Sequence, residues 1–287
     1  MKNNRASYMP SRKKSFKVYF QFSLIALCFV IVFAVFYACA GRKEKIDFSD
    51  ANVIQMDKPS DDTPVAVFET DMGTFKAVLF PDEAPEYYKF FKGLVEDGYY
   101  DGTYVSMVQD GVFFIGGTKQ ADGETTSETD TTELDAEMSK NLWPLKGALC
   151  AYTYDKKSLF SSGKLSNSYL LFVNDYELTS EEQKEFDEMN DSGDVPEVIA
   201  NAFEKNGGVL NFSQQYTIFG QVYDGMDVYD QLCEVDVIDS ESLQPRQEIK
   251  FKKVTLSTYG ENKNDAFFES TSSEAASDSS EDSTDSE

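Results

Sequence analysis

Histidine, the side chain that most often serves as a catalytic acid or base, is missing from this sequence. The chain of 287 residues contains no histidine. Serine and cysteine nucleophiles that rely on a histidine base are therefore excluded, and so is any metal site with histidine ligands. The four cysteines form no Cys-X-X-Cys pair, which removes the usual thiol-based metal and redox motifs. We predict neither a metal nor any other cofactor.

The clustered carboxylates and the paired glycines also lack the context that a site requires. Five acidic residues between Glu181 and Glu188 share a predicted helix with Lys184, a pattern typical of a solvated helix face. Gly116-Gly117 and Gly207-Gly208 do not connect a strand to a helix in the manner of a phosphate-binding loop. We interpret both glycine pairs as turns.

Chemistry of another kind is indicated by Asp101–Gly117, which reads DGTYVSMVQDGVFFIGG. This segment resembles one that cyclophilins, the peptidyl-prolyl isomerases, usually write as DGTxFHRVxxGFMIQGGD. Where cyclophilins carry His-Arg, this chain has Ser106-Met107. The backbone signals of the family are kept, whereas its polar side chains are replaced.

The resemblance extends over about residues 64 to 257, in the order of the family. Val67–Thr103 is similar to the opening hairpin and first helix, and GALCAY (Gly147–Tyr152) to the GALSMA strand. SNSYLLFV (Ser166–Val173) stands where GSQFFIV is expected. TIFGQVYDGMDVYDQL (Thr217–Leu232) is close to HTVFGQVxEGMDVVDKI, and EIKFKKVTL (Glu248–Leu256) resembles the closing strand.

The fold class is predicted as mainly β, in a cyclophilin-like domain at residues 64–259. The resemblance implies a closed eight-stranded antiparallel barrel with capping helices, and the sequence adds a helical insertion at about residues 177–206. One transmembrane helix is predicted to precede the domain. Barrels of this size fill their interior with side chains, so the site that the resemblance implies lies on the outer face.

Prolyl isomerisation requires neither a nucleophile nor a metal. Its barrier of about 18–20 kcal/mol arises because twisting the bond removes amide resonance, and an enzyme must bind the twisted form best. In cyclophilins an apolar pocket holds the proline ring and an arginine donates hydrogen bonds near the twisting amide. The resemblance places Met107 at the arginine position, so no catalytic residue of the family is retained.

The other groove candidates are carried over position by position, and none keeps its usual identity. Tyr152 replaces a small residue and is expected to fill part of the groove. The full set of substrate-groove candidates is Met107, Val112, Phe113, Ile115, Tyr152, Tyr169, Leu171, Phe212 and Tyr216. The apolar members Val112, Ile115 and Leu171 are interpreted as ordinary packing residues, and the tyrosines either as a recognition surface or as packed rings with hydrated hydroxyls.

Local signals predict the elements that position these residues. Asp71–Thr74 should connect two strands as a hairpin, with Gly73 free to take positive φ. The next helix is expected to have Asp82 as its cap, Pro85 in its first turn and Gly98 as its end. Its apolar stripe, which consists of Tyr87, Phe90, Phe91, Leu94 and Val95, should face the core.

Composition predicts the irregular segments. Residues 121–139 are polar and charged, which favours a surface loop over a strand. In the insertion, Thr179–Glu182 forms a capping box and Val195-Pro196 opens a second helix. The serine-rich, acidic residues 260–287 predict a disordered tail.

The N-terminal residues predict a membrane tether. The segment 18–40 contains an uncharged apolar stretch that is long enough to span a bilayer. The basic residues 1–17 favour a cytoplasmic N-terminus, a linker at 41–63, and a domain on the extracytoplasmic side of the cell membrane. We favour an uncleaved, single-pass signal anchor; the alternative is cleavage with lipid attachment at Cys39.

Charge restricts the partners. The formal net charge is −25, with +8 on residues 1–45 and −8 on residues 261–287, so the domain itself is strongly acidic. Nucleic acid is excluded as a partner because its phosphates require a basic surface. The expected partners are proline-containing segments of exported proteins, or another protein that binds the groove.

Two functions remain open at this point. The first is a peptidyl-prolyl isomerase of weak activity, and the second is a catalytically silent binding module. The two cysteines of the domain, Cys150 and Cys233, are interpreted as buried structural thiols, with a disulfide between them as the alternative.

Overall fold

The computed structural model describes residue 48 and residues 50–124, 133–157, 162–176, 178–181, 183, 184, 188 and 195–273. The predicted basic segment 1–17, the predicted membrane span 18–40 and Cys39 lie outside these described residues. Within the described part of the chain, no helix has the length and apolar character needed to cross a membrane.

The described strands form one antiparallel sheet that closes on itself. They are β1 (Pro64–Thr70), β2 (Thr74–Leu79), β3 (Tyr104–Gln109), β4 (Phe113–Thr118), β5 (Leu134–Asp135), β6 (Ala148–Lys157), β7 (Ser162–Val173), β8 (Thr217–Asp224) and β9 (Ile249–Thr258). Eight strands follow each other in the order β4-β3-β9-β1-β2-β8-β6-β7, and β7 pairs back with β4. The predicted eight-stranded antiparallel barrel is confirmed.

The interior of the barrel is filled with aromatic rings. Phe114 and Phe172 stack with their centroids 4.4 Å apart, and both are fully buried. Phe75 packs edge-on against Phe172 at 5.6 Å. Because side chains alternate along a strand, the neighbours of these rings on β4 and β7 face outward, where Phe113 and Leu171 join a separate hydrophobic cluster.

The interpretation of Gly116-Gly117 as a turn is wrong, because both residues belong to strand β4. A Cβ atom at Gly116 would lie 2.5 Å from the ring of Phe251, so only glycine leaves room for that ring in the core. Gly207, in contrast, ends a helix with φ +66°, as a glycine after a helix commonly does.

The first helix, α1 (Pro85–Glu96), begins later than its predicted cap Asp82. Its first turn is capped from a distant part of the chain: the carboxylate of Glu137 accepts the backbone N–H groups of Glu86 and Tyr87 at 3.2 and 2.8 Å. A carboxylate at this end also interacts favourably with the helix dipole. The sequence signal for Asp82 was local, whereas the actual cap depends on tertiary structure.

The predicted apolar stripe of α1 is confirmed in part. Tyr87, Phe91 and Val95 are buried in the barrel core, whereas Phe90 and Leu94 are half-buried at its edge. Helix α3 (Met226–Cys233) also packs on this core, through Tyr229, Leu232 and Cys233.

The helical insertion is described in part. Its second helix, α2 (Glu197–Asn206), is confirmed, and its buried face packs against Trp143 and Leu145. In the first predicted helix, residues 180, 181, 183, 184 and 188 are helical, and the rest of it lies outside the described residues. The prediction of a loop at 121–139 is wrong at Leu134–Asp135, because these residues form strand β5 and pair with β7.

The segment predicted as a linker packs on the domain from residue 48 onward. Phe48 contacts the indole ring of Trp143 at 5.4 Å, and Gln55 is completely buried in a short 3-10 helix. The Gln55 amide accepts the backbone N–H of Trp143 and donates to the Trp143 carbonyl and to the side chain of Gln221. A fully paired buried amide of this kind fixes the segment in one position.

The beginning of the predicted disordered tail is also ordered. Residues Asp265–Ser273 form helix α4, and Phe268 is only 2% exposed. Its ring stacks on Tyr223 at 5.7 Å and meets Tyr259 edge-on at the same distance. Low overall hydrophobicity suggested disorder, but one phenylalanine that finds an aromatic pocket is sufficient to dock the helix. Residues 274–287 lie outside the described part.

The substitution Phe268→Ala should destabilise the domain, because it removes a buried ring from this pocket. Full truncation of a buried phenylalanine costs about 3–5 kcal/mol. The loss is measured by urea denaturation, with Phe267→Ala, at a half-buried neighbour, as a control of smaller effect. Equal stability of Phe268→Ala and the original chain would contradict the docking of α4.

Candidate peptide-binding groove

All nine groove candidates belong to one hydrophobic cluster on the outside of the barrel, which we call the outer-face cluster. Its buried members from this set are Ile115, Tyr169 and Leu171. The half-buried members are Met107, Val112, Phe113, Tyr152, Phe212 and Tyr216. Residues that are far apart in sequence are thus brought together on one face.

Strand pairing explains the floor of the groove. Met107 on β3 is paired with Ile115 on β4, and Ile115 with Leu171 on β7. Leu171 is paired in turn with Cys150 on β6, and Cys150 with Ile218 on β8. A single row of side chains therefore crosses five neighbouring strands, and it is apolar along its whole length.

The position that would carry the family arginine offers no hydrogen-bond donor. Met107 ends in a thioether, which is at most a weak acceptor. Arg246 is the only arginine after residue 42. Its guanidinium donates to the carbonyl oxygens of Val237 at 2.9 Å and Ile238 at 3.5 Å, so it is occupied by the loop that precedes β9.

An aromatic wall stands on one side of the floor. The ring of Phe113 lies 5.9 Å from that of Phe212, which meets the ring of Tyr216 edge-on at 5.1 Å. The turn that carries Phe212 and Tyr216 holds Gln214 at φ +55°, a left-handed conformation that is uncommon for residues other than glycine. The Gln214 amide donates to the carbonyl of Ser139 at 2.9 Å and anchors the turn.

The hydroxyl of Tyr216 has a raised pKa. Burial, reinforced by the neighbouring Tyr152 and Cys150, raises the pKa of Tyr216 to about 12. The Tyr216 phenol therefore remains neutral at physiological pH and acts as a hydrogen-bond donor or acceptor, not as a charged group.

The cysteines are structural. Cys150 lies in the floor of the groove and Cys233 in α3, and both are free and buried. Burial raises the pKa of both thiols well above the ordinary value, which removes the thiolate that a reactive cysteine requires. The interpretation as buried thiols is confirmed, and the alternative of a disulfide is wrong.

Sequence comparison with the family missed several residues of the outer-face cluster. Ile54 comes from the supposed linker, Phe80 follows β2, and Tyr176 follows β7. No periodic pattern in the sequence marks these positions. Ser213 was missed as well; it is 7% exposed, and its hydroxyl has no hydrogen-bond partner among the described residues.

Alkaline pH should weaken the domain through Tyr216. Its pKa is about 12 in the folded state and about 10 when exposed, so the native state favours the neutral phenol. The resulting stabilisation is complete below pH 10 and is lost as the pH rises through 12. Denaturation at several pH values from 9 to 11.5 should show a shallower decline for Tyr216→Phe than for the original chain; parallel declines would contradict the raised pKa of Tyr216.

Comparison with known proteins places the chain in a family. Residues 65–256 match the family model described as cyclophilin type peptidyl-prolyl cis-trans isomerase/CLD. A protein of Staphylococcus aureus strain COL, described as a peptidyl-prolyl cis-trans isomerase, is 27% identical over 188 residues, which cover 65% of this chain and 90% of that protein.

Two further matches share fewer aligned residues or a lower sequence identity with this chain. A Streptococcus pyogenes serotype M6 protein, described as a bifunctional phosphatase/peptidyl-prolyl cis-trans isomerase, is 29% identical over 170 residues. This match covers 59% of the present chain but only 34% of the streptococcal protein. The crystal structure of a Cryptosporidium parvum cyclophilin type peptidyl-prolyl cis-trans isomerase is 18% identical, with a TM-score of 0.49 and coverage of 68% and 98% of the two chains. Because the family model matches more than half of its residues, this chain belongs to the cyclophilin-type peptidyl-prolyl cis-trans isomerase family.

Proposed function

We propose that this chain is a membrane-tethered peptidyl-prolyl cis-trans isomerase of low activity, which acts outside the cytoplasm on proline-containing segments of exported proteins. One observation carries the proposal: the nine positions equivalent to the family groove form one outer-face cluster, in which the donor position is Met107. An apolar surface that suits a proline ring is thus combined with an altered chemistry.

Binding of a prolyl segment is supported by the character of this surface. The proline ring is apolar, and the floor row from Met107 to Ile218 is apolar throughout. The rings of Phe113 and Phe212 supply rigid walls at little cost in conformational entropy.

Low turnover follows from the missing cation. A hydrogen bond from a charged donor contributes about 1.5–3 kcal/mol, so its loss lowers the rate on the order of ten- to a hundredfold. Some acceleration should remain, because an apolar groove removes water from the amide and so disfavours its more polar planar form.

The alternative function is a catalytically silent module that binds a protein partner through the same groove. The aromatic wall and Tyr152 favour it, since tyrosine and phenylalanine provide much of the contact area in binding surfaces. The strong negative charge of the chain would then select cationic or neutral partners.

The tether rests on the uncharged stretch within residues 18–40 and on the basic residues before it. The proline-containing partners would then be proteins that pass the extracytoplasmic face of the membrane. A lipid on Cys39 would hold the domain at the same surface.

A prolyl isomerisation assay separates the enzyme from the silent module. The full-length chain in non-ionic detergent should accelerate the exchange of an alanyl-prolyl peptide slowly, and Met107→Arg should raise kcat/KM about ten- to a hundredfold by restoring a charged donor. The matched control is Val198→Arg, which adds the same charge at a residue of α2 that is 42% exposed.

The result decides between the two functions. Slow catalysis with a gain only in Met107→Arg supports the proposed enzyme. No rate above background in the original chain would favour the binding module, and a rate close to that of an ordinary cyclophilin would contradict the proposed effect of Met107.

The tether is tested by fractionation of bacterial cells that express the full-length chain. We expect the protein in salt-washed membranes, and we expect its domain to be digested by protease added to spheroplasts. Deletion of residues 18–40 should release it into the soluble fraction. A soluble original chain, or one protected from external protease, would refute the proposed location. The mass of the extracted protein distinguishes an intact N-terminus from a chain that begins at a lipidated Cys39.

A further inference from the structure

The outer-face cluster contains hydroxyl groups that the packing of the barrel does not explain. Among the described residues, no hydrogen bond joins the hydroxyl of Tyr216 or Tyr152 to another group, so both hydroxyls are available to a ligand. Three residues before Tyr216, the buried hydroxyl of Ser213 has no partner among the described residues. A buried polar group without a partner costs stability, so such a group is uncommon unless it serves a ligand or a function.

Tyr216 is the best placed of the three residues. Its ring packs on Phe212, whose own ring contacts Phe113 at the edge of the floor row. Its neighbours in sequence are firmly held: the Gln214 amide is bonded to Ser139, and the backbone N–H of Thr217 donates to the hydroxyl of Thr153 at 3.3 Å. The ring position is thus fixed before any peptide binds.

The backbone of this turn is strained in a way that is typical of functional sites. Gln214 occupies the left-handed region at φ +55°, although it is not a glycine. Strain of this kind persists only where the surrounding structure enforces it, and it often accompanies ligand-binding positions. Here it sets the turn that carries Phe212 and Tyr216 into the groove wall.

The protonation state of Tyr216 suits a donor. Burial, reinforced by the nearby Tyr152, raises its pKa to about 12, so the O–H bond is retained across the physiological pH range. A hydrogen bond given in a partly dehydrated groove is stronger than the same bond in water. Because it is fixed in advance, this donor needs no reorganisation during the reaction.

We propose that Tyr216 is a catalytic residue of this site, whose hydroxyl donates a hydrogen bond to the prolyl imide as the bond twists. This inference rests on the proposed function. No proton is transferred and no covalent bond forms: the phenol hydrogen stays on Tyr216 and only strengthens its contact with the imide in the twisted state. A neutral donor thereby partly replaces the charged donor that Met107 does not provide.

The test uses the full-length chain in non-ionic detergent and an alanyl-prolyl peptide whose cis/trans exchange is followed by NMR. Tyr216→Phe removes one oxygen atom and keeps the ring. It should lower kcat/KM about three- to tenfold, the effect of one neutral hydrogen bond. The loss should fall on kcat, with KM changed by less than about twofold, because the bond strengthens only in the twisted state.

Three further variants control the interpretation. Tyr216→His keeps a ring N–H donor and should retain kcat/KM within about threefold of the original chain. Tyr152→Phe should cause a smaller loss than Tyr216→Phe. Tyr88→Phe, on α1 outside the outer-face cluster, should leave catalysis unchanged.

The rate of the original chain should be independent of pH between 6 and 9, since the hydroxyl of Tyr216 does not ionise in this range.

The outcomes separate this inference from the proposed function. Catalysis by the original chain that Tyr216→Phe leaves intact, or a loss that appears only in KM, would overturn the role of Tyr216 while the isomerase stands. The absence of catalysis in the original chain would overturn both. Near-original activity of Tyr216→His shows that the variants fold and that the donor is what matters; equal losses in Tyr216→His and Tyr216→Phe would overturn the inference.

Discussion

The rest of this structure depends on one constraint: successive side chains of a β-strand point to opposite faces of the sheet. Closing eight antiparallel strands into a barrel sends alternate side chains into the interior and onto the outer face. On β4 and β7 the inward residues Phe114 and Phe172 stack in the core, and the adjacent Phe113 and Leu171 belong to the outer-face cluster. A shift of one residue in register would exchange core and groove completely.

This arrangement separates stability from function. The interior is filled by large rings that hold the strands at a fixed spacing, so the outer-face cluster can change its chemistry without loss of the barrel. Met107 illustrates the point: it is paired with Ile115 in the sheet and contributes to the floor, although it contributes no donor. The barrel of the family is kept, whereas the side chain at the position of the family arginine is different.

The folded unit extends beyond the barrel at both ends. Gln55 is held by Trp143 and Gln221 in the protein interior, and Phe268 is enclosed by Tyr223 and Tyr259. Ile54, next to Gln55, packs against the outer-face cluster itself. The segment that leads into the domain therefore contributes to the outer-face cluster, and a chain trimmed to the barrel strands would lose this contact.

The sequence by itself carried the resemblance that predicted the family and the closed barrel, because motifs such as DGTYVSMVQDGVFFIGG are local. The nine groove positions that the same resemblance implies stay a prediction, although one cluster brings them together. The sequence also determined that no histidine chemistry occurs. Only the tertiary structure decided how the ends of the domain pack, how α1 is capped and which hydroxyls stand in the groove. Glu137 caps α1 from about 50 residues away, and Gln55 is paired with Gln221 across the chain. These contacts join residues that are remote in sequence, and no local pattern of side chains specifies them.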